Sequence, residues 1–107
     1  MAAGFNGQCF AFHGYLPVAD AARRATLQTL ERESQRRDMT QLFIETPYRN
    51  DALLASVLAV CAPATRLCVA ADLTLSTETV ISRSVADWRA AAATIGRRPA
   101  IFALYAR

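Results

Sequence analysis

Lysine is absent from this chain of 107 residues, and all 12 of its cationic side chains are arginine. A protein built to hold nucleic acid usually gathers its cations on one face with aromatic residues between them. Here they come as dispersed pairs, Arg23-Arg24, Arg36-Arg37 and Arg97-Arg98, interrupted by Asp20, Glu31, Glu33 and Asp38. Solvated helix faces account for most of them, although arginine forks suit phosphate and keep an RNA-binding reading open. Histidine occurs once, as His13, so no histidine-based metal centre can be assembled from this sequence. The four glycines are Gly4, Gly7, Gly14 and Gly96, and none follows a buried strand at the spacing of a phosphate or dinucleotide loop. The chain therefore has no glycine-rich cofactor cradle of its own. Cys9, Cys61 and Cys68 are odd in number, show no CxxC spacing and read as small buried hydrophobes. No apolar run approaches the ~20 residues that span a bilayer. The start Met1-Ala2-Ala3-Gly4 lacks the basic segment and long apolar stretch of a secretory signal, so the expected location is the cytoplasm.

What is present is the composition of one globular domain, 53% hydrophobic and 20% charged, too short for two independent cores. The elements alternate. Cys9–Phe12 reads as a short strand, followed by the turn Gly14-Tyr15-Leu16-Pro17 and a helix from about Ala21 to Arg36, capped by Asp20, with Ala22, Leu27 and Leu30 inward. Thr40–Glu45 reads as a second strand. Leu53, Leu54, Val57, Leu58 and Cys61 recur at helical spacing after Asn50, a residue type that caps helices, and Pro63 lies beyond their end. Arg66–Ala71 is a third, buried strand. Beyond the polar turn at 74–77, the β-branched content of Glu78–Arg83 favours a fourth. Val85, Trp88, Ala92 and Ile95 make the inner stripe of a third helix ending at Gly96, and Ile101–Ala106 is the last strand. The order βαβαββαβ gives an α/β domain with a mixed five-stranded sheet flanked by helices, because parallel neighbours need crossovers while the connection between the third and fourth strands is short.

The most informative stretch is Leu42-Phe43-Ile44-Glu45-Thr46-Pro47-Tyr48-Arg49-Asn50. A buried apolar run breaks into a carboxylate, a hydroxyl, a proline and a guanidinium at a strand's carboxyl end, where open α/β sheets place ligands. The same stretch also reads as an ordinary strand-to-helix turn with a solvated salt bridge.

The strings Phe10-Ala11-Phe12-His13-Gly14-Tyr15-Leu16-Pro17, Arg23-Arg24 with Leu27, Leu42 to Arg49, and Val69-Ala70-Ala71-Asp72-Leu73-Thr74 occur in this order. Together they resemble the C-terminal half of a tetrapyrrole (corrin/porphyrin) methylase, over about residues 7–105. Within that superfamily they are most similar to the branch of ribosomal RNA small-subunit 2'-O-ribose methyltransferases, whose strings run GFLP, RR, YESPHR and ARELTK. The resemblance implies a two-domain S-adenosylmethionine-dependent methyltransferase in which this chain is the second domain, residues 1–107, with the cofactor-binding N-terminal domain absent. It implies cofactor contacts from Ile44, Glu45, Thr46, Ala70, Ala71, Asp72, Pro99, Ala100 and Ile101. It implies a substrate platform of Tyr15, Arg23, Arg24, Tyr48 and Arg49, and assigns no catalytic residue. Implied partners are the missing methylase domain, an RNA substrate and a second copy in a homodimer. Small apolar residues at Ala70, Ala71 and Ala100 suit an adenine slot, though a buried sheet would want the same alanines. The opening 1–7 resembles an interdomain crossover.

The departures concern the substrate. Tyr48 stands where the RNA-modifying branch has histidine, Asp72 where it has glutamate, and Leu75 where it has lysine, while Val18–Ala22 replace a lysine-bearing loop. Each phosphate contact removed weakens RNA binding and flattens its salt dependence. Three readings follow: half of a methyltransferase, inactive alone; a non-catalytic RNA-binding module; and a self-associating domain with apolar surface around Phe5, Phe10, Tyr15 and Leu16.

Overall fold

The computed structural model describes residues 9–73, 75–91 and 94–106. Strand β1 (Phe10–Tyr15) leads through helix α1 (Asp20–Arg37) to β2 (Thr40–Ile44); a single 3-10 turn (Pro47–Arg49) opens helix α2 (Asn50–Val60). Then follow β3 (Arg66–Ala71), β4 (Thr79–Ser84), α3 (Val85–Ala91) and β5 (Ala100–Tyr105). The sheet order is β1-β2-β5-β3-β4. Only β1 and β2, joined by the α1 crossover, are parallel. The last strand runs antiparallel between β2 and β3, so the chain's end closes the middle of the sheet. Neither a hairpin pattern nor a helical crossover could announce that insertion, because its pairings are long-range.

One face of the sheet carries the core. Phe43 of β2, Leu67, Val69 and Ala71 of β3 and Ala100, Phe102 and Leu104 of β5 alternate inward and share one cluster with Leu27 and Leu30 of α1, Leu53, Leu54 and Val57 of α2, and Val85 and Trp88 of α3. The rings of Phe43 and Phe102 stack at 5.7 Å. The buried Trp88 indole N–H donates to the Leu67 carbonyl at 2.8 Å, satisfying the ring's one polar group. The alternate residues of the outer strands are less covered: Phe10, Phe12 and Val80 are exposed.

Several expectations need correction. The first strand does not stop at Phe12. It continues through Gly14, whose φ of +67° favours glycine, and the register shifts between Phe12 and Tyr15. Asp20 does not cap α1, since the cap position is Ala19 and no side chain fills it. Ala22 is exposed, and Arg23 takes the buried place instead. Asn50 is the first residue of α2 rather than its cap, for its amide is spent elsewhere. The described part of α3 ends at Ala91, and Ile95 reaches the core from a loop. Cys61 and Cys68 are buried but Cys9 is exposed. Burial, with Glu31 nearby, pushes the Cys61 thiol up to about 12. The readings placed on Phe5, on 1–7, on Thr74 and on Ala92 lie outside the described residues. Among the described residues no helix is long and apolar enough to cross a membrane, and no group of three or more His, Cys, Asp or Glu side chains could hold a metal ion.

Candidate functional site

Where the carboxyl ends of β2 and β3 flank the amino end of β5, the sheet opens into a cleft of about 460 Å³. Its walls are Ile44, Glu45 and Pro47 from the β2 end, Ala70, Asp72, Leu73 and Leu75 from the β3 end, and Pro99, Ala100 and Ile101 from the β5 start, with Tyr15 from β1. The antiparallel register makes this convergence obligatory: Ala70 pairs with Ile101, Ala71 with Ala100, and Ile44 with Ile101. Of the residues read from sequence as cofactor contacts, all but Thr46 and Ala71 line the cleft. Ala71 points into the core.

Asp72 anchors one wall. Its φ of 53° turns the chain sharply after β3, and its backbone N–H donates to the Pro99 carbonyl at 2.9 Å. One carboxylate oxygen accepts from Arg98 Nε at 2.7 Å and Thr77 Oγ1 at 2.9 Å, while Arg98 Nη2 donates to the Thr77 carbonyl at 2.5 Å. The Arg98 and Thr77 hydrogen bonds hold the Asp72 carboxyl below its ordinary range. Arg98 is itself fixed from behind. Asn50 Nδ2 donates to the carbonyls of Arg98 at 2.6 Å and Gly96 at 3.2 Å, and the Asp51 carboxylate accepts from the backbone N–H of Ile95 at 2.6 Å. Gly96 sits at φ +77°, which allows this loop its reversal. The first turn of α2 thus grips the 95–98 loop, an arrangement that the sequence signalled only as a generic cap.

Glu45 anchors the opposite wall. Its side chain is only 3% exposed, which corrects the expectation of a solvated charge at the cleft mouth. Oε1 accepts from the Thr46 backbone N–H at 2.7 Å and the Thr46 hydroxyl at 3.3 Å, with Arg49 Nε 3.9 Å away. Oε2 is buried and has no hydrogen-bond partner among the described residues. Arg49 spends itself outward, donating to the Tyr48 hydroxyl at 2.7 Å and to Thr46 Oγ1 at 3.2 Å, with its guanidinium 4.8 Å from the Tyr48 ring centre. Tyr15 and Tyr48 are both well exposed.

Of the five residues read as substrate contacts only Tyr15 lines the cleft; Tyr48 and Arg49 follow Pro47 outside its lining, and Arg23 and Arg24 are engaged elsewhere. Arg23 ties α1 to α2 through Ser56 Oγ at 2.9 Å and bonds the Val18 carbonyl, while Arg24 pairs with Asp20 at 2.9 Å. Arg36 and Arg37 both pair with Glu33.

No family model matches the chain. Over 90 residues, 81% of its length, it is 34% identical to the ribosomal RNA small subunit methyltransferase I of Pseudomonas aeruginosa, of which it spans 30%. The chain belongs to the tetrapyrrole methylase family. Its fold matches solved methylases of that family. The methyltransferase CobJ superposes over 97% of this chain and 44% of its own length, with a TM-score of 0.59 at 17% identity. The uroporphyrin-III C-methyltransferase of Thermus thermophilus, solved with S-adenosylhomocysteine, covers 94% of this chain and 43% of its own, with a TM-score of 0.55 at 12% identity. The chain therefore spans less than half the length of each of these three methylases.

Proposed function

We propose that this chain is the carboxyl-terminal half of a cytoplasmic S-adenosylmethionine-dependent methyltransferase, supplying one wall of the cofactor pocket and part of the platform for the methyl acceptor. The cleft at the β2, β3 and β5 ends carries this reading. It is apolar on its flanks, polar at two anchored corners, and large enough for a nucleoside-sized group. The small side chain of Ala70 leaves room for a flat ring between strand ends, while Ala100, whose side chain belongs to the core, lines the cleft beside it, and backbone groups there offer edge hydrogen bonds. Bound cofactor would supply the electrophilic methyl group. This half would hold the nucleoside and fix the acceptor's approach, since aligning the nucleophile with the sulfonium is most of what methyl transfer demands.

The acceptor in this reading is ribosomal RNA at a ribose 2'-hydroxyl. Tyr48 and Arg49 at the cleft's edge are the RNA-facing candidates, because exposed aromatic rings and guanidinium planes accept unpaired bases. A non-catalytic RNA-binding module is less favoured, since Arg23, Arg24, Arg36, Arg37 and Arg98 are all engaged by partners within the domain. One observation favours a second reading, in which the chain associates with itself or the other methylase half: Phe10, Phe12 and Tyr15 on β1 are each more than half exposed. Contiguous apolar surface of this kind seeks cover.

The purified chain should bind S-adenosylhomocysteine weakly and transfer no methyl group to small-subunit ribosomal RNA or to a tetrapyrrole. Turnover by this chain alone would refute the assignment of half an active site. For association, light scattering across a concentration range should show dimers or larger species; a strict monomer at high concentration would remove the second reading.

A further inference from the structure

Another cavity, of about 400 Å³, opens at the opposite end of the sheet from the cleft, where β3 begins and β5 ends. Strands of six residues rising ~3.3 Å each put roughly 17 Å between the two. Two guanidiniums line this cavity, Arg32 from α1 and Arg66 from β3. Their placement follows from a bond between their chain neighbours: Glu31 Oε2 accepts from the Thr65 hydroxyl at 2.6 Å and from the Ala62 backbone N–H at 2.7 Å, stapling α1 to the loop that enters β3. Arg66 is held further by pairing with Ser84 and Tyr105. Neither arginine forms an ion pair with a described carboxylate. Arg32 Nη2 reaches only the Thr29 hydroxyl, and Arg66 Nη2 only the carbonyl and hydroxyl of Ser82, all at 3.4 Å, beyond the usual range of a good hydrogen bond. The other arginines of α1 differ: Arg23, Arg24, Arg36 and Arg37 each have a carboxylate oxygen within 3.3 Å. Glu31, the acid that lines this cavity, is turned to the loop and not to either guanidinium.

We propose that this cavity binds a phosphate oxyanion, held from two sides by Arg32 and Arg66. A guanidinium grips oxyanions through parallel N–H donors, and each of these two has most of its five donors unspent. A planar carboxylate is satisfied by one such fork, whereas tetrahedral phosphate directs oxygens to two at once. Two arginines less one glutamate leave the lining a net charge of +1, which matches a phosphate carrying a single charge, as in a diester. Ala64 and Ala106 beside the arginines are small and leave room for the group that carries it. Such a phosphate belongs either to an RNA backbone or to a free small molecule. The site is independent of the function proposed for the cleft.

The test uses the whole chain, isotopically labelled, and follows the amide signals of Thr65, Arg66 and Ala106. Inorganic phosphate, acetate and a single-stranded RNA oligonucleotide without terminal phosphates are titrated in turn. Phosphate should move these amides and bind at least about fivefold more tightly than acetate. Arg32→Gln and Arg66→Gln should each weaken phosphate about fivefold or more, because hydrogen bonds to a charged group are the stronger kind. Both arginines are exposed, so neither change opens the core. Arg97→Gln removes the same charge at another exposed position and should leave binding within about twofold. If the source is RNA, the oligonucleotide moves the same amides and its salt slope flattens by about 0.7 for each arginine removed. If phosphate alone moves them, the source is a free phosphate group; either result supports the site. Acetate acting as readily as phosphate, an equal loss in Arg97→Gln, or no movement at Thr65, Arg66 and Ala106 with any of the three overturns it. The position of the shifts on the unaltered chain keeps the test decisive should a variant fold poorly.

Discussion

Asp72 and Glu45 stand at equivalent places, each the first residue after a strand, β3 and β2, with β5 between them. Both carboxylates line the same cleft and both have an arginine within reach. One oxygen of Asp72 is held by Arg98 and Thr77, its backbone N–H donates to the Pro99 carbonyl, and Asn50 holds the Arg98 carbonyl. Glu45 is half employed, with Arg49 turned to Tyr48 and one oxygen unpaired. Asp72 is thus braced across the cleft by an arginine from just before β5, whereas Glu45 is held only by its own neighbours; a buried oxygen without a partner among the described residues remains on each side, Glu45 Oε2 and Asn50 Oδ1.

The comparison breaks most readily at its rigid side. Asn50→Ala removes two partly buried donations to backbone carbonyls, and should cost about 1–3 kcal/mol of stability in a urea titration. It should also loosen the 95–98 loop, so amides of Arg98 and Ala100 should exchange faster. If stability falls while loop protection is unchanged, Asn50 does not position that wall.

Acid sharpens the comparison. The folded-state pKa of Asp72 is depressed, so its contribution is complete above the ordinary value of 3.8 and is lost as pH falls below it toward the folded value. Melting temperature plotted against pH should therefore drop more steeply below about pH 4 in the parent protein than in Asp72→Asn. Parallel curves would mean that the Arg98 pairing does not survive in solution.

The smallest effect should come from the Glu45 side. Arg49→Ala removes a partly exposed guanidinium 3.9 Å from Glu45 and should change stability by no more than about 1 kcal/mol. Its effect should fall instead on acceptor binding by the complete enzyme. A large loss of stability with unchanged binding would make Arg49 another strut, and the contrast with Arg98 would disappear.

Much of the fold was legible in the residues. Leu67 to Ala71 is an unbroken apolar run and reads as β3 with the observed bounds; Leu53, Leu54 and Val57 announce the buried face of α2 by spacing alone. The end of β2 was legible too, because an apolar run that breaks into polar residues marks where such a strand stops, whereas Ala70, Asp72, Pro99, Ala100 and Ile101 were reached only through the family resemblance. What remained hidden was the destination of side chains. Asn50 and Asp20 have the chemistry of caps, yet Asn50 bonds Arg98, 48 residues away, and Asp20 adds to its local pairing with Arg23 and Arg24 a bond from Ser56, 36 residues away. Arg23 reads as half of a surface pair but is buried by its bond to Ser56. Periodicity reports which face a residue occupies, whereas these partners exist only once the chain has closed on itself.

We propose that the strand-end cleft holds a nucleoside cofactor, so amide shifts mapped while S-adenosylhomocysteine is added to the labelled chain should concentrate at Ile44, Ala70, Asp72, Ala100 and Ile101. Movement centred instead on another cavity, between Glu31, Arg66 and Tyr105 and about 400 Å³ in volume, or no movement at saturating ligand, is the opposite result.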